Sequence, residues 1–142
     1  MRRAGALGAT VSIGLAILGC SNPSAPFIAT GTYHLVACAF SSGQVPLPCA
    51  YPIGAAGDSS RAAAGSVTLL ADGTCTFALY LAAEHNGVWS ADNPTISSGT
   101  YHHGADNNAM SISFTGSYAG WRIDGARLDA RTIQFGMWIF RS

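Results

Sequence analysis

Residues 66–82 read SVTLLADGTCTFALYLA, and this stretch decides the fold. Two apolar runs flank Asp72-Gly73, a dipeptide that suits the positive φ angles of a two-residue hairpin turn. Downstream, AMSISFTG (109–116) sets Met110, Ile112 and Phe114 against Ser111, Ser113 and Thr115, the period of a strand with one buried face. From Thr30 onward this alternation recurs with turn residues at short intervals, and no stretch keeps a helical period over three turns. RAAAG at 61–65 allows a single helical turn at most. A further turn is expected at Asp124-Gly125, and GADNN at 104–108 reads as a hairpin loop.

About eight strands result, near 31–40, 65–71, 74–83, 95–103, 109–116, 118–123, 126–134 and 136–141. Mostly tight connections argue for an antiparallel up-and-down order, which closes into an all-β barrel and so removes exposed edges. A sandwich or half-open sheet is the alternative. The exception to tight turns is 41–65, a stretch of about 25 residues with three prolines. Its prolines and Cys49 favour an ordered flap.

The 142 residues allow one domain with a single core. Seven acidic residues balance seven arginines, with no lysine. The apolar content excludes a disordered chain, and no basic stripe exists to neutralise phosphates, so nucleic acid is not an expected partner.

Residues 1–19 read as a signal peptide: MRR is a basic start, and AGALGATVSIGLAIL is an apolar run too short to span a bilayer. It ends in Ile17-Leu18-Gly19-Cys20, which resembles the bacterial lipobox. The resemblance implies that Cys20 is diacylated, carrying diacylglycerol and palmitate, and becomes the new amino terminus. Two acyl chains supply stable anchoring where one does not. Ser21 in place of Asp implies sorting to the outer rather than the inner membrane. Residues 20–29 have the Ser/Pro/Asn make-up of a flexible tether, and 30–142 form the domain. Ordinary signal-peptide cleavage nearby, or a lone membrane anchor, is the alternative; the twin arginines lack the rest of a Tat motif.

Export places the domain in an oxidising compartment, where Cys38, Cys49 and Cys75 form one bridge and leave one thiol. Cys38–Cys49 closes a short loop; Cys49–Cys75 is the competing pair.

The chain from Gly31 to Arg141 resembles the lipocalin-like (calycin) barrels, in particular small bacterial lipoproteins with such domains. The carriers are GTYHLV at the first strand, VPLP after it, GSVTLLADGTCTF, SGTYHHG, and WIFR at the end. The resemblance implies that Gly31 opens the first strand, Tyr33 plugs the closed end of the barrel, and Arg141 on the last strand covers it. Tyr stands here where the family more often has Trp.

No catalytic set is expected. Glu84-His85 reads as a loop cap, and GDSS at 57–60 lacks the strand–turn–helix setting of a nucleophile elbow. His34 and His102 follow aromatics placed inward and therefore face outward, while His102 and His103 oppose one another across their strand. Neither a metal site nor a cofactor is expected.

The better candidate is a ligand site. Up-and-down order gathers the 41–65 flap, the 84–95 loop and the 116–120 loop at the open end, with Tyr51, His85, Trp89, Tyr118 and Trp121 as an aromatic rim for a small apolar ligand. Ala37 and Ala39, on the face of Tyr33 and Leu35, would leave room inside. Phe77, Leu79, Leu81, Met110, Ile112 and Phe114 would instead fill the interior. The expectation is a lipid-anchored envelope protein binding a small apolar molecule. The alternative is a solid barrel that contacts an envelope protein partner, with Trp138 and Phe140 exposed beside Tyr80 as its mark.

Overall fold

A computed structural model describes residues 30–53, 57–104 and 108–142. The signal peptide expected at 1–19, Cys20 and the tether to residue 29 lie outside the described residues, as do 54–56 of the flap and 105–107 of the GADNN loop.

The strands are β1 (Gly31–Phe40), β2 (Gly43–Pro46), β3 (Cys49–Pro52), β4 (Ser59–Leu69), β5 (Thr74–His85), β6 (Val88–Trp89), β7 (Asn93–His103), β8 (Ala109–Phe114), β9 (Arg122–Arg127), β10 (Thr132–Phe135) and β11 (Trp138–Arg141). A 3-10 turn, Gly116–Tyr118, joins β8 to β9. Eight strands close an antiparallel up-and-down barrel in the order β1, β4, β5, β7, β8, β9, β10, β11, with β11 returning to β1. β2 pairs with the second half of β1, and β3 with the first half of β4, so the flap extends the sheet where those two strands diverge.

The hairpin in the opening stretch forms, with a longer turn than expected. Gly73 N–H bonds to Leu70 O at 3.1 Å and Leu70 N–H to Thr74 O at 2.9 Å, a three-residue loop with Gly73 at φ 85°. Asp72 Oδ1 accepts from Thr74 N–H and Oγ1 at 2.9 and 2.6 Å, which holds the carboxyl below its usual range.

Three expectations about local structure are corrected. RAAAG lies inside β4, where Ala62 pairs with both Cys49 and Leu81; pairing on two sides overrides the helical preference of alanine. Asp124-Gly125 is not a turn but the middle of β9, and the last three strands shift accordingly. The turn falls instead at 128–131, where Leu128 N–H bonds to Thr132 O and Asp129 Oδ1 accepts from Arg131 N–H. Gly125 serves close packing: a Cβ there would collide with Gln134 O and lie 2.6 Å from Phe135 Cδ1.

The third correction concerns the barrel interior. A β-bulge between Leu35 and Ala37 switches the faces of β1, so Cys38 points into the core and the room expected beside Ala37 and Ala39 is not left open. Cys38 and Cys49 are both fully buried and joined by a disulfide that ties β1 to β3. Tyr33, Leu35, Val67, Leu69, Phe77, Leu79, Met110, Ile112, Ile133, Phe135 and Phe140 fill the centre, and the Phe77 ring meets those of Phe114, Phe135 and Phe140 edge-on. Phe140 is fully buried and Trp138 packs against the core, so these two do not form an outer patch with Tyr80.

Candidate functional site

Strand direction puts the starts of β1 and β10 and the turns at 70–74 and 128–131 at one end of the barrel, with the chain terminus after β11. At this end both copies of Gly-Thr-Tyr-His turn their tyrosines inward: Tyr33 pairs with Val67, and Tyr101 with Ile112. Tyr101 donates to Leu70 O at 2.7 Å. Burial raises the Tyr33 hydroxyl above its ordinary value; the Arg127 charge works against the shift and Tyr101 adds to it. Arg141 sits opposite His34 in the β1–β11 ladder, with Nε 3.4 Å from Thr132 Oγ1, and the Arg127 charge also bears on Tyr33. Gly31 opens β1 at φ 141°, a backbone angle that favours glycine.

The opposite end holds the five rim residues, which separate into three places. Tyr51 on β3 packs edge-on against Trp138 at 5.5 Å and closes the interior on the disulfide side. Trp89 and His85 stand beside the entrance to β4. The Arg61 guanidinium lies 5.0 Å over the Trp89 ring and 3.4 Å from Asp92, while His85 Nδ1 is 3.2 Å from Asp58 Oδ2. Tyr118 and Trp121 alone share a cavity.

That cavity exists because β7 outruns β8. β7 pairs with β8 only from Gly99 to His103, although its other edge pairs with β5 back to Asn93. Past Phe114 the chain turns away: Thr115 N–H and Oγ1 bond to Ser98 O, the 3-10 turn follows, and Trp121 O accepts from Phe114 N–H. The wall is therefore open between Asn93–Ser97 and the 3-10 turn. A pocket of about 180 Å³ fills this opening, lined by Phe77, Leu79, Thr95, Ser97, Phe114, Tyr118, Trp121 and Ile123. None of these side chains is charged. Trp121 is 70% exposed and Tyr118 39%, so the two rings stand at the rim.

Sequence reasoning placed Tyr118 and Trp121 at the open end. Phe77, Leu79 and Phe114, expected to fill the core, also line the pocket, and Thr95, Ser97 and Ile123 join them without having stood out in the sequence. The usable signal was two small polar residues at inward positions of β7, opposite Leu79 and Phe77.

A larger, polar groove of about 390 Å³ lies outside β7, β8 and β9, where His102, Ser111 and Asp124 form one cross-strand row. Ser111 occupies the middle, whereas a hydroxyl–imidazole–carboxylate relay needs the imidazole there. Asp124 is paired with Arg122 Nε at 2.8 Å, and His102 Nε2 lies 3.3 Å from Thr100 Oγ1. Among the described residues no three His, Cys, Asp or Glu side chains gather as metal ligands.

Fold and site together define an eight-stranded antiparallel barrel, compatible with a lipocalin-like fold, whose interior is packed and whose mouth carries one shallow apolar pocket. Comparison with family models, curated proteins and solved structures finds no match to this chain.

Proposed function

We propose that this chain is a non-catalytic binding protein of the bacterial cell envelope, held by lipid on Cys20, that takes a compact apolar group at the open end of its barrel. The observation that carries the binding reading is the uncharged pocket of about 180 Å³ beside an indole, Trp121, that is 70% exposed. A cavity of about 150 Å³ lined by aliphatic and aromatic side chains suffices for benzene, so one ring fits here. The anchor rests on Ile17-Leu18-Gly19-Cys20 following an apolar run.

Toluene titrated into the full chain is expected to shift the Trp121 indole N–H resonance and to leave that of Trp138 in place. No Trp121 response at saturation would sink the pocket. For the anchor, a Cys20→Ser variant is expected to lose palmitate labelling; continued labelling would refute it.

A second reading, a protein interaction module, is favoured by the filled interior, which among the described residues leaves no deep calyx for a free ligand.

A further inference from the structure

We propose that the pocket and the β7 edge above it form one site for an extended peptide segment, bound by strand addition through a single uncharged apolar side chain. The inference rests on the pocket reading and names the chemistry of its occupant.

The edge supplies the first observation. Along an antiparallel strand, successive residues direct their N–H and C=O groups to opposite sides. Tyr101 N–H bonds to Gly73 O, so the odd positions of β7 face β5. Ser98 O accepts from Thr115, so the even positions face the β8 side. Pro94 C=O and both Ile96 groups therefore point into the opening, and among the described residues no hydrogen bond reaches them. Pro94 brings no N–H, so the Ile96 N–H stands as a donor between two acceptors. That pattern matches another peptide main chain, which exchanges two bonds with one residue.

The pocket supplies the second. Thr95 and Ser97, on either side of Ile96, turn inward and line it. At about 180 Å³ it falls below the ~300–1,000 Å³ usual for small-molecule sites, but it suits one side chain. A free hydrocarbon would fill the pocket and leave the edge unsatisfied. An extended peptide satisfies both, its main chain supplying affinity and its pocketed side chain selectivity. Residues opposite each other in an antiparallel pair share a face. The peptide residue bonded to Ile96 thus points outward, and its neighbour enters between Thr95 or Ser97 and the Trp121 ring. The opening from Asn93 to Ser97 admits a segment of about five residues.

The test uses the full chain and the blocked pentapeptide acetyl-Ser-Thr-Phe-Thr-Ser-amide. Two controls accompany it: the same peptide with alanine at its centre, and one with its three central amides N-methylated. The phenylalanine peptide is expected to shift the Trp121 indole resonance and to slow hydrogen exchange at Ile96 N–H. Both controls should bind at least tenfold more weakly, as should the phenylalanine peptide to a Trp121→Ala variant, whose exposed ring the fold does not need. Equal binding of the N-methylated peptide overturns strand addition and leaves the pocket standing. Protection of Ile96 N–H without any peptide overturns it too, because the edge is then already covered. Silence of Trp121 toward both peptide and toluene ends both readings.

Discussion

Gly125 has no side chain because Phe135 and Gln134 O occupy the place where one would go. Gly125→Ala forces β9 and β10 apart where Gly125 faces Phe135 at the end of their ladder, an overpacking change expected to cost about 1–3 kcal/mol by urea unfolding. A result within a few tenths of wild type would refute the close approach. Cys75, the thiol left over by the disulfide, is buried, and burial raises it from an ordinary 9.0 to about 11. Its folded form stays neutral while the unfolded thiol ionises. The stability it contributes is therefore complete below about pH 9 and declines as pH rises toward 11. Tyr33 and Tyr101, raised chiefly by burial, act in the same direction at higher pH. Denaturation midpoints of wild type and Cys75→Ala are accordingly expected to converge between pH 9 and 11, and an Ellman reagent should find the native thiol unreactive at pH 8.

Among the elements, β2 and β3 show how a long loop becomes structure. GQVP (43–46) and CAYP (49–52) pair against the diverging halves of β1 and β4, and the Cys38–Cys49 bridge, 11 residues apart, ties β3 back to β1. In the chain-entropy picture a loop of this size is worth about 3 kcal/mol. A Cys38→Ser, Cys49→Ser double variant should lose that order of stability in denaturant titrations; an unchanged midpoint would mean that the strand additions hold without the bridge. The hairpin at 70–74 and the outward and inward faces of β5 and β8 were legible from alternation and Asp-Gly alone. The Asp-Gly at 124–125 misled because a glycine needed for positive φ and one needed for close approach look identical in sequence.

Over the whole molecule, the filled interior separates this barrel from an open calyx. Phe140 is fully buried, with its ring 5.4 Å from that of Phe77. Truncation to alanine there is expected to cost about 3–5 kcal/mol by guanidinium unfolding, as in a close-packed core. A loss below about 1 kcal/mol would indicate unfilled space beside the ring. Chain order brings the rim loops to one end, but local pairing sends Tyr51 inward and sets Trp89 under Arg61, so that of the rim residues expected from sequence Tyr118 and Trp121 line the pocket.

By itself the sequence determined the strand class, the up-and-down order and the inward tyrosines of both Gly-Thr-Tyr-His copies, because a period of two and short turns are local properties of the chain. Only the tertiary structure decided three further matters: which face Cys38 takes after the bulge, that Phe135 claims the space above Gly125, and where β7 outruns β8. Each depends on register between strands distant in sequence, and a shift of one residue exchanges every inward side chain for an outward one.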